Sequence, residues 1–266
     1  MANVLIKDLR KISKGFAEKL EEWPHIPCPT CVRGVLRPAA DSFVNDETIT
    51  SKSLHHQEVW DPEWIQGDFL CILTCPNATC DRVRVIGESR VRETGDWYGE
   101  QYEWWLTPTM FFPALPLIQS RSLCPKEVGN RVDIAAKILW LDPSSAANRI
   151  RSAVEALMDE HGIIRYKPSR RAKPSRISLD ERISTFKTAL PQHAEAADML
   201  LAVKWIGNVG SHEGVLRILD VLEGVEFLDH ALSLIYDTNH DDIKKRAAEV
   251  TARRGRPSSS TFSASS

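Results

Sequence analysis

Cysteine spacing constrains the N-terminal half of this chain more than any other feature. Cys28 and Cys31 form a Cys-x-x-Cys pair, and Cys75 and Cys80 form a second pair with four residues between them. Zinc binds four thiolates in a tetrahedron, and two tight turns that each supply two sulfurs meet that requirement. The alternative is a set of ordinary buried thiols, because free cysteine packs as a small apolar residue. The spacing favours one structural zinc per chain.

The cellular setting and the number of ligands also bear on the cysteines. The N-terminus has neither a basic region nor a continuous apolar region, so we expect no secretory signal and a cytoplasmic location. Clustered cysteines in a reducing cytosol bind metal more often than they form disulfides. Four cysteine ligands leave no open position for water, which favours a structural zinc over a catalytic one.

Other side chains are rival or substitute ligands. On an extended strand Cys71 would lie about 13 Å from Cys75. We therefore expect Cys71 and Cys124 to be core residues. Three histidines are alternative ligands: His25, His55 and His56.

Hydrophobic periodicity predicts a helix followed by short strands in the first half. Apolar residues recur every three or four positions from Val4 to Glu22, as on one face of an amphipathic helix. Two short β-prone segments, 69–74 and 82–87, flank the second cysteine pair, as in a zinc ribbon. The polar stretch 40–56 predicts a loop, and the aromatic segment 102–117 predicts extended chain packed against the ribbon.

From about residue 126 the pattern becomes helical. Asp142-Pro143 is typical of a helix start. Proline has no backbone N–H, and this costs little in the first turn, where an N–H would have no acceptor within the helix. Ser178, with Glu181 three residues later, matches a capping box. Further helices are predicted over 193–205, 215–236 and 241–254. No run of about 18 apolar residues occurs, so we expect no transmembrane helix.

These patterns predict an α+β chain with a small zinc ribbon of short antiparallel strands followed by an all-helical bundle. The predicted boundaries are an N-terminal helix over 1–24, a zinc-ribbon domain with an aromatic and proline-rich extension over 25–124, a helical bundle over 125–238, and a basic helix with a disordered serine-rich tail over 239–266.

Basic residues concentrate in a loop of the second half. This loop has no acidic residue, and prolines and serines favour an unstructured chain; its cations are Arg165, Lys167, Arg170, Arg171, Lys173 and Arg176. Such a loop can neutralise phosphates without reading sequence, and the terminal basic helix adds a second element. The alternative is a solvated surface loop, because the net charge of −2 gives no global support for nucleic acid. No membrane partner is expected, since no amphipathic basic helix with exposed aromatics accompanies the loop.

Two segments of the second half resemble a bacterial family. Residues 146–157 read Ala-Ala-Asn-Arg-Ile-Arg-Ser-Ala-Val-Glu-Ala-Leu, and residues 204–213 read Lys-Trp-Ile-Gly-Asn-Val-Gly-Ser-His-Glu. Over about 25–236 the chain resembles domain of unknown function 4145. The resemblance implies a HEPN-like helical bundle behind an N-terminal zinc ribbon, and it implies an association with type I restriction subunits.

The resemblance also implies candidate catalytic residues. Nuclease members of the wider HEPN group use an arginine, a polar residue and a histidine to cleave RNA without metal. Here His212 would transfer protons, with Asn208 and Lys204 on the same side of an unbroken helix. The arginine of the nuclease pattern is missing at its usual spacing, and lysine lacks its planar fork. Alternatively, His212 forms a hydrogen bond with a carboxylate such as Glu155. Glu155 lies four residues after Arg151, a spacing that predicts an ion pair between these two residues on a helix.

Together these features predict an accessory module in the cytoplasm that binds nucleic acid or a protein partner, forms a homodimer and needs no small-molecule cofactor. The restriction association suggests a role in restriction or phage defence, by analogy. Two alternatives remain open. One is a metal-independent ribonuclease that uses His212, and the other is a structural adaptor whose aromatic stretch around Trp104 binds another protein.

Overall fold

A computed structural model of the chain describes residues 4–31, 34–95, 101–167, 174–212, 215–237 and 239–255; at 211, 212 and 239–242 only the backbone is described. Within these ranges the chain is α+β, as predicted, with an antiparallel sheet from the N-terminal half and helices from the C-terminal half. No described helix is both long and apolar enough to cross a membrane.

The described N-terminal residues form a seven-stranded sheet. Its strands are β1 (Phe16–Ala17), β2 (Ile26–Pro27), β3 (Val35–Pro38), β4 (Val44–Glu47), β5 (Gln66–Thr74), β6 (Val83–Glu93) and β7 (Tyr102–Phe112). The order is β1-β7-β6-β5-β3-β2, with β4 paired to β5 next to β3, and every pair is antiparallel. The predicted ribbon strands are therefore part of a larger sheet with long central strands.

One face of this sheet is buried because apolar residues alternate along the central strands. Phe69 and Cys71 on β5 and Val85 on β6 all point into the core. Trp23 completes this face, with its ring edge-on to Phe69 at a centroid distance of 6.2 Å. The chain that follows the first helix thus contributes its aromatic residues to the sheet.

The first helix is shorter than its apolar periodicity predicts. Helix α1 covers Val4–Ile12, and Phe16 already lies in β1, so the prediction of a helix to Glu22 is wrong. Gly15 makes the turn with φ +76°, and a Cβ there would lie 2.4 Å from Nε1 of Trp105. Only glycine combines this backbone with so close an approach. Pairing with β7 overrides the helical pattern.

The predicted loop 40–56 also contains regular structure. β4 pairs with β5, and the short helix α2 (Ile49–Lys52) begins where the Thr48 side chain accepts a hydrogen bond from the Ser51 amide at 3.2 Å. β4 is an edge strand whose side chains are exposed or half-buried. An edge strand of this kind needs no apolar alternation, and for that reason the sequence pattern missed it.

The C-terminal half is helical, as predicted. Its helices are α3 (Lys126–Ile138), α4 (Pro143–Glu160), α5 (Leu179–Ala189), α6 (Ala194–His212), α7 (Ile218–Tyr236) and α8 (Asn239–Ala252). The helix start predicted at Asp142-Pro143 and the cap predicted at Ser178 are both found. The Asp142 carboxylate accepts from the Ser145 amide at 2.9 Å, and the Ser178 hydroxyl accepts from the Glu181 amide at 3.1 Å. Each satisfies an amide that the first helical turn leaves unpaired.

Helices α4 and α6 approach closely because α6 carries glycine at the contact. A Cβ on Gly207 would lie 2.5 Å from Cβ of Arg151, and one on Gly210 would lie 2.7 Å from the Ser144 carbonyl oxygen. The two segments that carry the family resemblance are therefore packed against each other. Positions 207 and 210 are glycine because the backbones of α4 and α6 pack too closely there for a side chain.

The sheet and the helices share one hydrophobic core. Helix α1 contacts both β2 and α7, and its buried residues Leu5, Ile6, Leu9 and Ile12 belong to the same cluster as residues of the sheet and the bundle. Arg10 on α1 pairs with Glu226 on α7 at 2.8 Å. Phe111 on β7 packs edge-on against Trp140, beyond the end of α3, at 5.0 Å. The predicted helix, ribbon and bundle thus form a continuous structure.

A buried carboxylate fixes the segment that joins the sheet to the helices. Asp229 on α7 accepts hydrogen bonds from the amides of Gln119 and Ser120, at 3.0 and 2.9 Å, and from the Ser120 hydroxyl at 2.5 Å. Both Asp229 and Ser120 are buried. Because a buried donor without an acceptor is costly, this carboxylate holds the connecting segment against the bundle.

We expect Asp229→Ala to destabilise the chain by about 1–3 kcal/mol, since it leaves buried donors unsatisfied. The melting temperature should fall by about 2–4 °C per kcal/mol for a chain of this size. Thermal unfolding followed by circular dichroism measures the effect. Glu223→Ala is the control, because Glu223 is exposed on the same helix. Equal melting temperatures for the two variants would contradict a bracing role for Asp229.

Candidate metal centre

The structure brings the four predicted cysteines together beside the sheet. The Sγ atoms of Cys28, Cys31, Cys75 and Cys80 all lie within 4.8 Å of one another, and those of Cys31 and Cys75 are 3.8 Å apart. Zinc–sulfur bonds of about 2.3 Å in a tetrahedron place sulfurs about 3.8 Å apart. Among the described residues this is the one group of three or more potential ligands close enough to hold a metal ion.

Two antiparallel strand pairs present these sulfurs. Cys28 follows β2, and its amide donates to the Gly34 carbonyl at 2.9 Å, which closes the first turn before β3. Cys75 follows β5, and the Cys80 amide donates to the Asn77 carbonyl at 3.0 Å in the turn before β6. Since β3 pairs with the end of β5, the two turns lie side by side. The looser spacing of the second pair is accommodated by this wider turn.

Gly34 is a residue of this site that the sequence analysis did not single out. A Cβ there would lie 2.6 Å from Sγ of Cys75 and 3.0 Å from Sγ of Cys31. Its amide also donates to Sγ of Cys31 at 3.3 Å. Its position three residues after the first Cys-x-x-Cys pair was the available signal. Gly34 leaves the room that the sulfurs need to converge.

The thiols of Cys31 and Cys80 differ in pKa. The Gly34 amide that donates to its sulfur lowers the pKa of Cys31 to about 7. Removal from water and hydrogen bonding with the other thiols raise the pKa of Cys80 to about 12. One thiolate thus disfavours a second thiolate beside it. A divalent cation would favour the deprotonated form of all four, because bound thiols lose their protons to the metal. The donor set therefore fits a soft metal ion.

The remaining cysteines lie outside the cluster, as predicted. Cys71 and Cys124 are buried in the core, and burial raises the pKa of both thiols. His55 pairs with Glu47 at 2.8 Å, and neither His25 nor His56 belongs to the cluster. No histidine thus replaces a cysteine ligand among the described residues.

The predicted basic loop is only partly described. Three of its cations lie outside the described residues: Arg170, Arg171 and Lys173. The ends of the loop pair as two short strands, β8 (Tyr166–Lys167) and β9 (Ser175–Arg176), so these residues are not the unstructured chain that was predicted. Backbone pairing outweighs the local composition at these ends.

The three described cations of the loop are all paired with carboxylates. Arg165 pairs with Asp159, Lys167 pairs with Glu181 at 2.7 Å, and Arg176 pairs with Glu155 at 3.3 Å; the three carboxylates lie on α4 and α5. The guanidinium of Arg165 lowers the pKa of Asp159, and the ammonium of Lys167 lowers that of Glu181. These ion pairs neutralise cations that were predicted to contact phosphate. Phosphate contact by this loop stays a prediction.

The carboxylates of α4 also bind arginines of the bundle itself. Arg151 pairs with Glu155 at 3.3 Å, which confirms the predicted ion pair. The buried Arg182 on α5 donates to Asp159 at 2.7 Å and to the Ile163 carbonyl at 2.7 Å. Asp159 therefore joins α4, α5 and the hairpin through two arginines.

The predicted catalytic residues share helix α6. The helix continues through Gly207 and Gly210, so Lys204, Asn208 and His212 do occupy one side of it. The side chain of His212 lies outside what the structure describes. Lys204 is buried, and its ammonium lies 3.2 Å from Asp180 and over the Trp205 ring. These contacts give Lys204 partners on α5 and α6, and the catalytic roles of Lys204, Asn208 and His212 stay predictions.

Comparison with known proteins finds two families whose functions are unknown. A family model described as domain of unknown function (DUF8608) matches residues 16–112, which hold the sheet and the cysteine cluster. No curated protein and no solved structure matches the chain. A model described as domain of unknown function (DUF4145) matches residues 133–253. This second match supports assignment of the helical half to the family whose motifs were identified in residues 146–157 and 204–213.

Proposed function

We propose that the protein is a non-catalytic binding module whose N-terminal sheet is stabilised by one structural zinc ion. The observation that carries this proposal is the closed cluster of four sulfurs within 4.8 Å of one another. Four cysteine ligands fill a tetrahedral zinc site and leave no position for a reacting water. The ion would then join two turns that are far apart in sequence, and its binding free energy would add to folding.

Charge pairing supports binding over catalysis in the helical half. An acid–base site needs a proton-transfer group and a cation that is free to meet developing charge. The candidate cation Lys204 is buried, and its ammonium lies 3.2 Å from the exposed carboxylate of Asp180. The HEPN-like classification, the cytoplasmic location and the role in restriction or phage defence belong to the same proposal. They rest on the sequence resemblance.

Nucleic acid is one partner class that a specific observation favours. Lys244, Lys245 and Arg246 are consecutive and exposed on α8, and within the described part of the chain none of the three pairs with a carboxylate. They differ in this from Arg165, Lys167 and Arg176, whose charges are neutralised. An exposed basic cluster of this kind can release counterions from a phosphate backbone without reading sequence.

Zinc analysis tests the metal proposal. Purified chain should contain about one zinc per molecule by elemental analysis, and Cys28→Ser should lose the metal and lower the stability of the sheet. Cys71→Ala is the control, because Cys71 is buried in the same sheet but lies outside the cluster. It should keep the metal. A well-folded wild-type preparation without zinc would rule out the structural role.

Gly34→Ala should weaken metal binding while all four ligands remain. The added methyl group would lie within 3.0 Å of two sulfurs, so one turn must move away from the tetrahedral arrangement. Competition with a chromophoric chelator measures the effect, and the expected result is zinc loss at a lower chelator concentration than for wild type. Identical competition curves for the variant and wild type would show that metal binding does not need the open space beside Gly34.

Salt-dependent binding tests the nucleic-acid partner. Replacing Lys244, Lys245 and Arg246 with Ala should weaken binding to a labelled RNA or DNA and flatten its salt dependence, by about one unit of slope for each lost phosphate contact. Replacing Lys126 and Lys137 on α3 is the control and should change neither. An unchanged slope in the α8 variant would favour a protein partner.

The same RNA, incubated with excess chelator, separates binding from catalysis. The proposed module should leave the RNA intact. Cleavage that survives the chelator and disappears in a fully stable His212→Ala variant would overturn the non-catalytic proposal in favour of the ribonuclease.

A further inference from the structure

The outer face of the sheet carries an apolar row that crosses four strands. Val44 pairs with Leu70, Leu70 with Ile86, and Ile86 with Met110, so the four side chains lie side by side on one face. Their exposed fractions are 48%, 39%, 38% and 42%. Phe112, at 63% exposure, extends the patch at the next position of β7. Isolated exposed apolar residues are ordinary, but a continuous row in register marks an interaction surface.

No described element of the chain covers this row, because α1 and the helical bundle pack on the opposite face. There Phe69, Val85 and Phe111, the strand neighbours of the row, are buried in the core. Strands about 4.8 Å apart with residues about 3.3 Å apart give the outer face of β4–β7 roughly 500–600 Å². Two such faces together would bury about 1,000–1,200 Å², near the lower limit for a specific protein interface.

Opposite charges flank the row on its two sides. Along β6, Arg84 lies two residues before Ile86 and Glu88 lies two residues after it, on the same face. Asp68 on β5 pairs with Glu88, so that side of the row is acidic. Arg84 and Glu88 have no ion-pair partner within the described chain. Each charge is therefore available to a group outside the molecule.

We propose that a second copy of this chain docks on the outer face of the sheet, with a two-fold axis along the apolar row. Rotation about that axis places each side chain of the row against its own copy. It also exchanges the two flanks, so that Arg84 of one chain opposes Glu88 of the other, twice per dimer. An axis parallel to the strands would instead oppose the acidic flanks, at an electrostatic cost. The strands of the two sheets then run nearly aligned, as in sheet sandwiches.

Sedimentation equilibrium of the zinc-loaded full chain tests the interface. Wild type should dimerise weakly, in the micromolar range, because interfaces below about 1,200 Å² are typical of weak complexes. Ile86→Lys should raise the dissociation constant at least about tenfold, because it places a charge at the centre of the row. Leu141→Lys is the matched control, since Leu141 is equally apolar and 78% exposed outside the sheet. Circular dichroism and melting temperature establish that both variants fold. The proposal is overturned if wild type is monomeric, or if Ile86→Lys leaves the dissociation constant of the dimer unchanged.

A charge reversal tests the axis. Arg84→Glu and Glu88→Arg should each weaken the dimer, and the double variant should restore it, because the opposed pair is then re-formed with its signs exchanged. Arg84 and Glu88 are four residues apart on an extended strand, about 13 Å, so the rescue cannot arise within one chain. A double variant no tighter than the single ones would overturn this arrangement of the two copies.

Discussion

The whole structure depends on one continuous apolar core, and helix α1 is the element that makes it continuous. Its buried residues pack on the sheet from one side and toward α7 from the other. An amphipathic helix of only nine residues would not be stable alone, so its helical state comes from this packing. The sheet in turn has an inner face that needs a cover. Each part therefore supplies surface that the other must bury.

Polar contacts then fix the orientation of parts that the apolar core alone would leave free to slide. Arg10 and Glu226 join α1 to α7, and Asp229 holds the connecting segment at Gln119 and Ser120. Hydrogen bonds depend strictly on direction, whereas apolar contacts do not, so a few polar contacts specify one arrangement. The proposed zinc ion would do the same at the sheet by holding two turns in one tetrahedron.

The contact of α4 with α6 gives a physical meaning to the motifs that the sequence shares with a family. Gly207 and Gly210 permit close approach to Arg151 and Ser144, so a larger residue at either position would separate the helices. In the same bundle, carboxylates of α4 and α5 neutralise the described cations of the loop. Lys204 and the described cations of the loop thus have carboxylate partners in the fold. On α8, Lys244, Lys245 and Arg246 form no ion pair with any side chain that the structure describes.

Local spacing by itself determined the features that depend on nearby residues. The two cysteine pairs, the helix start at Asp142-Pro143, the cap at Ser178 and the Arg151–Glu155 pair were all predicted, because each needs only a few neighbouring positions along the chain. The helical half was predicted for the same reason, since its apolar period is local.

Tertiary structure decided what depends on distant residues. Helix α1 ends at Ile12 because Gly15 turns against Trp105 and the next residues pair with β7. The edge strand β4 has no apolar period and exists only through its pairing with β5. Lys167 and Arg176 are paired with Glu181 and Glu155, which lie 14 and 21 residues away along the chain. The strand register likewise aligned Val44, Leu70, Ile86 and Met110 into one row. Strand pairing and ion pairing join residues whose separation along the chain carries no period, and so they follow from the three-dimensional packing alone.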